Sequence, residues 1–319
     1  MTTTGNETPA PNEITSNTTR QTAIHIVVGV LLGILAASVG LLPWIITGSQ
    51  LPLQNLWDTD TLPADMPTVM LPFSQYALTF IVALIVIGSA LGGGIARARR
   101  VIHPRTAVWS LAVGVLAVQI PALIQTTTTV SEGLGDSPGS DIYLAALIAV
   151  TVVAIVVGLI VLVLLALAPV PGAAIALGLA AVALGPWLSG LALPLNSVGT
   201  ETNFTALGIV QWVPAIVVGL AMAWSGFRTL GRAIATFTTL LALWIGPSLF
   251  TAISAAAGTR VLASRPAEMA QYGAEVFQSV VRTSESLRPL LVAIIVMFVG
   301  LGIGWMTRRR QSPPAELVS

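Results

Sequence analysis

Three glutamines, Gln119, Gln125 and Gln211, are the most polar side chains in the long apolar stretches of this chain, where no carboxylate or arginine joins them. An amide donates and accepts hydrogen bonds, but it does not carry a proton between partners at neutral pH. A charge inside a membrane segment is the usual mark of an ion pathway or proton relay. Coupling through a buried acid is therefore not expected. Gln119 lies two residues before Pro121 and Gln211 three before Pro214. Each is placed to bond a carbonyl freed at a proline kink, or to contact a ligand in a polar cavity.

The remaining candidates for chemistry are few. His25 and His103 stand far apart with no carboxylate nearby in sequence, which does not make a metal site. The absence of cysteine excludes disulfides, thiolate zinc sites and iron–sulfur clusters. No paired-aspartate motif, GxSxG, HExxH or P-loop occurs. We therefore expect no enzyme activity, metal or cofactor. Asp58, Asp60 and Asp65 follow Trp57 in NLWDTDTLPADMP, but that stretch lacks the glycine and distal glutamate of a calcium loop. It reads as a solvated acidic segment, held extended by Pro52, Pro63, Pro67 and Pro72.

The composition dictates the solvent. Of 319 residues, 55% are hydrophobic and 8% charged, with a mean hydropathy of +0.89, whereas soluble domains are about 25% charged. Apolar windows of the length needed to cross a hydrocarbon core of about 30 Å fall at 24–47, 76–96, 107–127, 143–168, 172–194, 206–226, 233–256 and 289–306. The expected fold is an all-α membrane protein with eight transmembrane helices. Residues 1–23, rich in Thr, Asn and Pro, read as a disordered tail, and 307–319 as a second tail. The first apolar run is too long for a signal-peptide core and reads as an uncleaved helix.

Charge is sorted between the two rims. One side holds Arg20, Arg97, Arg99, Arg100, Arg105, Arg228, Arg232, Arg308, Arg309 and Arg310 against Glu7, Glu13 and Glu316, a balance of +7. The other holds ten carboxylates against Arg260, Arg265, Arg282 and Arg288, a balance of −6. The positive-inside rule puts both termini in the cytoplasm. All basic side chains are arginine, and the Ala, Val and Arg usage without lysine resembles membrane proteins of high-GC bacteria.

An internal repeat is visible. LPWIITGSQLPLQ from Leu42 aligns with GPWLSGLALPLN from Gly185, and the odd-numbered helices carry Pro43, Pro121, Pro186 and Pro247 in the half away from the arginines. Two parallel four-helix halves, 24–168 and 172–306, follow. Kinks at one depth would form a ring, and repeat-built transporters place binding sites at such discontinuities. Small residues four apart, Gly29 and Gly33, Gly88 and Gly92, Gly300 and Gly304, mark close helix contacts, which makes helices one, two and eight candidates for the packed centre or a dimer seam. Near 266–286, Met269, Tyr272, Val276, Phe277 and Val280 recur at helical spacing, predicting an amphipathic helix on the outer surface.

Two functional readings follow. The first is a plasma-membrane channel, permease or lipid-transport component for a neutral or amphipathic substrate. The alternative is a non-catalytic scaffold or regulator of the cell envelope. The partners implied are the bilayer and either a second copy of the chain or an envelope protein, with nothing that suits nucleic acid.

Overall fold

The computed structural model describes residues 11–54, 56–99, 104–195, 197–259 and 265–311. Arg100, His103 and Arg260, and the outer parts of both expected tails, lie outside the described residues. Eleven α-helices succeed one another there: α1 (Pro11–Gly40), α2 (Leu42–Ile46), α3 (Leu78–Arg99), α4 (Pro104–Gly133), α5 (Pro138–Leu167), α6 (Val170–Ala192), α7 (Glu201–Val210), α8 (Val213–Ser225), α9 (Leu230–Gly258), α10 (Pro266–Val281) and α11 (Arg288–Gln311). Eight helical stretches are long and apolar enough to cross a membrane. The protein is a polytopic, multi-pass membrane protein.

The span boundaries differ from the hydropathy windows in instructive ways. The first span ends at Gly40 and restarts as α2 with Pro43 in its first turn, where a missing N–H costs nothing. The sixth is broken between Val210 and Val213, just before Pro214, and joins α7 to α8. The helix α1 starts at Pro11 and so takes in part of the segment expected to be a tail. Proline suits a first helical turn.

The most enclosed span is α3, which packs against α1, α4, α5 and α6. It can meet four neighbours because its middle is built from Gly88, Ser89, Ala90, Gly92, Gly93 and Ala96, all buried. Small residues let backbones approach in a medium where dispersion and polar contacts drive helix association. An added Cβ on Gly88 would stand 3.0 Å from the Cα of Ala37 in α1, and one on Gly93 2.9 Å from the Cα of Leu162 in α5.

The pairing of spans follows one scheme among the first four spans and among the last four, the first and second halves by their order in the chain. The first span packs on the third (α1 on α4) and the second on the fourth (α3 on α5), and likewise the fifth packs on the seventh (α6 on α9) and the sixth on the eighth (α8 on α11). Gly219 sits against Ala293 and Val296, and Gly300 against Ala223, at the last of these crossings. The halves meet where α6 docks on α3 and α5, with Ala176, Ala180 and Ala183 facing Ala83, Val86 and Ala90.

Two packing expectations need correction. The last span is the least enclosed of the eight, so it is not part of a packed centre. Gly304 meets no heavy atom within 4 Å of where a Cβ would stand. Its small-residue spacing with Gly300 arises without a second helix contact.

The amphipathic stretch forms α10, which lies along α9, with Gly273 close to Ala256. Met269, Val276, Phe277 and Val280 are half-buried and Tyr272 is exposed.

Candidate functional site

The two rims are built differently. At the acidic end, residues 47–54 and 56–77 fold down onto the first four spans as an ordered cap. Leu51 N–H donates to Pro67 O at 2.9 Å and Val69 N–H to Ser49 O at 2.8 Å, a short antiparallel pairing. Trp44 Nε1–H reaches Val69 O at 2.8 Å. Leu51, Val69, Leu71 and Phe73 are buried beneath it with Trp44.

Gln125 is a clamp for this cap. Its Oε1 accepts from Met70 N–H at 2.9 Å, and its Nε2 donates to Thr68 O at 3.2 Å. Thr126 Oγ1 accepts from Leu71 N–H at 3.0 Å. A proline-rich segment has few partners of its own for its backbone groups, and side chains of α4 supply them. Gln125 also borders a hollow of about 300 Å³ with Leu41, Ile45 and Ser49. Gln54 donates to Phe73 O at 2.8 Å and accepts from Tyr143 Oη–H at 2.7 Å, which ties the cap to α5. Asp58, Asp60 and Asp65 are exposed on it, and among the described residues no group of three His, Cys, Asp or Glu could hold a metal.

Gln119 lies in the interior of the first half. Its Nε2 donates across to α3, to Ile85 O at 3.0 Å and Ser89 Oγ at 3.1 Å, rather than to a carbonyl of its own helix. Its Oε1 is buried without a partner. Gln211 sits at the break between α7 and α8, exposed, and donates to Gly208 O at 2.8 Å. The three amides thus occupy three separate places and do not line one cavity. The four prolines differ in their settings: Pro43 is buried, Pro186 half-buried, and Pro121 and Pro247 are exposed.

Two cavities mark the arginine-rich half. The first, about 500 Å³, is an apolar crevice between the halves, walled by Leu91, Gly94 and Ala98 of α3, Leu177 and Leu184 of α6, and Val217 of α8. Beside it Arg97 Nη1 donates to Leu165 O at 2.9 Å and Ala168 O at 3.0 Å, closing the C-terminal end of α5. That helix end presents unsatisfied carbonyls and a partial negative charge, which a guanidinium complements. The same guanidinium stands 5.1 Å from the ring centre of Trp224 on α8, a cation–π contact that joins the two halves.

The second cavity, about 290 Å³, lies between the end of α8, the start of α9 and α11, and is bordered by Trp224, Ser225, Arg228, Arg232, Gly304 and Trp305 among others. Ser225 is fully buried and its Oγ has no hydrogen-bond partner. Neither cavity was anticipated. The local signal was the run WSGFRTLGR, where aromatic and basic residues interleave, but its convergence with residues 300–305 depends on how α8 crosses α11.

No family model, curated protein or solved structure matches this chain.

Proposed function

We propose that this chain is a non-enzymatic plasma-membrane protein that carries or moves an amphipathic, bilayer-resident substrate. The observation that carries this reading is the crevice between the halves. It is almost wholly apolar and bordered by exposed Leu91. A hydrated solute needs a polar path, whereas Gln119 is tied to α3, Gln125 to the cap, and Gln211 to its own helix. A lipid tail needs only a greasy slot that opens sideways.

The expected assay uses the full-length chain in vesicles of phosphatidylethanolamine and phosphatidylglycerol carrying a headgroup-labelled phospholipid. Labelled lipid is expected to change leaflets faster than in protein-free vesicles, while sucrose flux stays at background. Gly94→Phe fills the crevice at a position where a Cβ makes only ordinary contact, 3.7 Å from Leu165. It is expected to slow movement about tenfold, equivalent to losing some 1.4 kcal/mol of transition-state stabilisation. Lipid movement no faster than in empty vesicles, from a well-folded sample, would count against transport and leave the scaffold reading.

The two-half organisation is supported by the shared pairing scheme, α1 on α4 and α3 on α5 against α6 on α9 and α8 on α11. A cytoplasmic location of both termini is supported by the +7 and −6 split of charge, and a high-GC bacterial inner membrane by composition. A chain without cysteine makes the topology simple to test. Asp60→Cys is expected to react with an impermeant maleimide on intact cells and Arg20→Cys only after permeabilisation; the reverse labelling would invert the orientation.

A further inference from the structure

We infer that the pocket between α8, α9 and α11 at the arginine-rich end binds the phosphate of an anionic phospholipid. Two independent features converge there. The first is Ser225, whose buried Oγ has no partner among the described residues. A hydroxyl withdrawn from water and left unpaired is destabilising, and this one borders a cavity large enough to admit a phosphate. The second is charge: Arg228 and Arg232 border the same cavity.

The chain is shaped to bring these together. Gly226 has φ of +65°, a left-handed conformation that other residues adopt at a cost. It turns the backbone sharply after Ser225, and α9 begins only four residues later, which brings Arg228 and Arg232 to the cavity that Ser225 borders. Gly304 keeps the opposite wall open, since it faces free space rather than another helix.

The walls identify the source of the phosphate. Trp224 and Trp305 are exposed aromatics beside the arginines, the arrangement that sits at the headgroup level of a bilayer. Basic pockets between membrane helices on one rim take lipid headgroups. An acyl chain leaving the pocket would run along the exposed apolar face of α11, past Leu301. A free phosphate ion has no use for such a face. The site is separate from the crevice between the halves, so it stands or falls independently of lipid movement there.

The test is native mass spectrometry of the full-length chain, purified in neutral detergent after exposure to equal moles of phosphatidylglycerol and phosphatidylcholine. One phosphatidylglycerol is expected to be retained in preference. Arg232→Gln is expected to lower that retention about fivefold, the change that corresponds to roughly 1 kcal/mol per basic residue at a membrane surface. Gly304→Leu fills the pocket without meeting another helix, and is expected to bring retention down to the phosphatidylcholine level with an unchanged melting temperature. Ser225→Ala is expected to weaken retention while melting no lower than the wild type, because it deletes an unpaired buried hydroxyl. Equal retention of the two lipids, or undiminished retention by Gly304→Leu, would overturn the site. A thermal shift from millimolar inorganic phosphate as large as that from phosphatidylglycerol would overturn the lipid assignment.

Discussion

Gly33→Leu is expected to destroy the folded bundle, whereas the same substitution at Gly304 leaves it intact. At Gly33 an added Cβ falls within contact distance of the Leu111 carbonyl oxygen and 2.9 Å from the Cα of Gly114. Both obstacles are backbone, so no rotamer change relieves them. Only separation of α1 from α4 makes room, and that breaks a principal helix crossing of the first half. Overpacking costs about 1–3 kcal/mol where side chains can adjust, and more is expected here because they cannot. At Gly29 the obstacles are Ser110 Oγ, which can rotate away, and Ser110 Cβ at 2.7 Å, which moves only with its backbone. Gly29→Ala is therefore expected to destabilise the same crossing, but less than Gly33→Leu. Size-exclusion profiles after heating rank the variants, and a Gly33→Leu protein as monodisperse and heat-resistant as the wild type would show that the α1–α4 contact is not what the structure implies.

The same contrast shows what hydropathy and spacing make legible. Eight spans are readable because a helix in hydrocarbon must satisfy its own backbone over about 20 apolar residues, and that demand leaves a mark in every stretch. Small residues four apart are equally easy to find, yet Gly33 packs on α4, Gly88 on α1 and Gly304 on nothing. The spacing says that a close approach is permitted; a neighbour has to be present to use it. The polar residues follow the same logic. Gln119 and Gln125 stand out as amides in apolar helices, but their partners, Ile85 on α3 and Thr68 in the cap, are 34 and 57 residues away. Ser225 left no mark, since a serine near a helix end is ordinary until the fold withdraws it from water. The helix α10 was readable from 3.6-residue periodicity, and α9 from its hydropathy, but that the one lies along the other was not.

The residues 48–75 look solvated in sequence because acids and prolines dominate them, and here the acids were the wrong signal to follow. Val69, Leu71 and Phe73 stand at period-two spacing and all turn inward, with Met70 exposed between the first two, while Pro72 is buried with them. Phe73 is fully buried among Leu51, Leu71 and Ile81. Phe73→Ala is therefore expected to cost about 3–5 kcal/mol, the range for deleting a buried aromatic and leaving its cavity. The loss is expected to fall on the cap first, because the helices below retain their own crossings through Gly33, Gly88 and Gly93. Trp44→Phe removes the bond to Val69 O and leaves a smaller cavity than Phe73→Ala does, so it is expected to cost about 1–3 kcal/mol, less than Phe73→Ala. Asp60→Ala, on the exposed side of the same segment, is expected to stay within about 0.5 kcal/mol of the wild type. Limited proteolysis at the acidic face reads this order directly: cleavage within residues 56–66 is expected to be fastest in Phe73→Ala, intermediate in Trp44→Phe and unchanged in Asp60→Ala. Equal cleavage rates in all three would mean that the segment is held by its backbone hydrogen bonds to Gln125 and Thr126 alone, with the buried aromatic contributing nothing to closure of that rim.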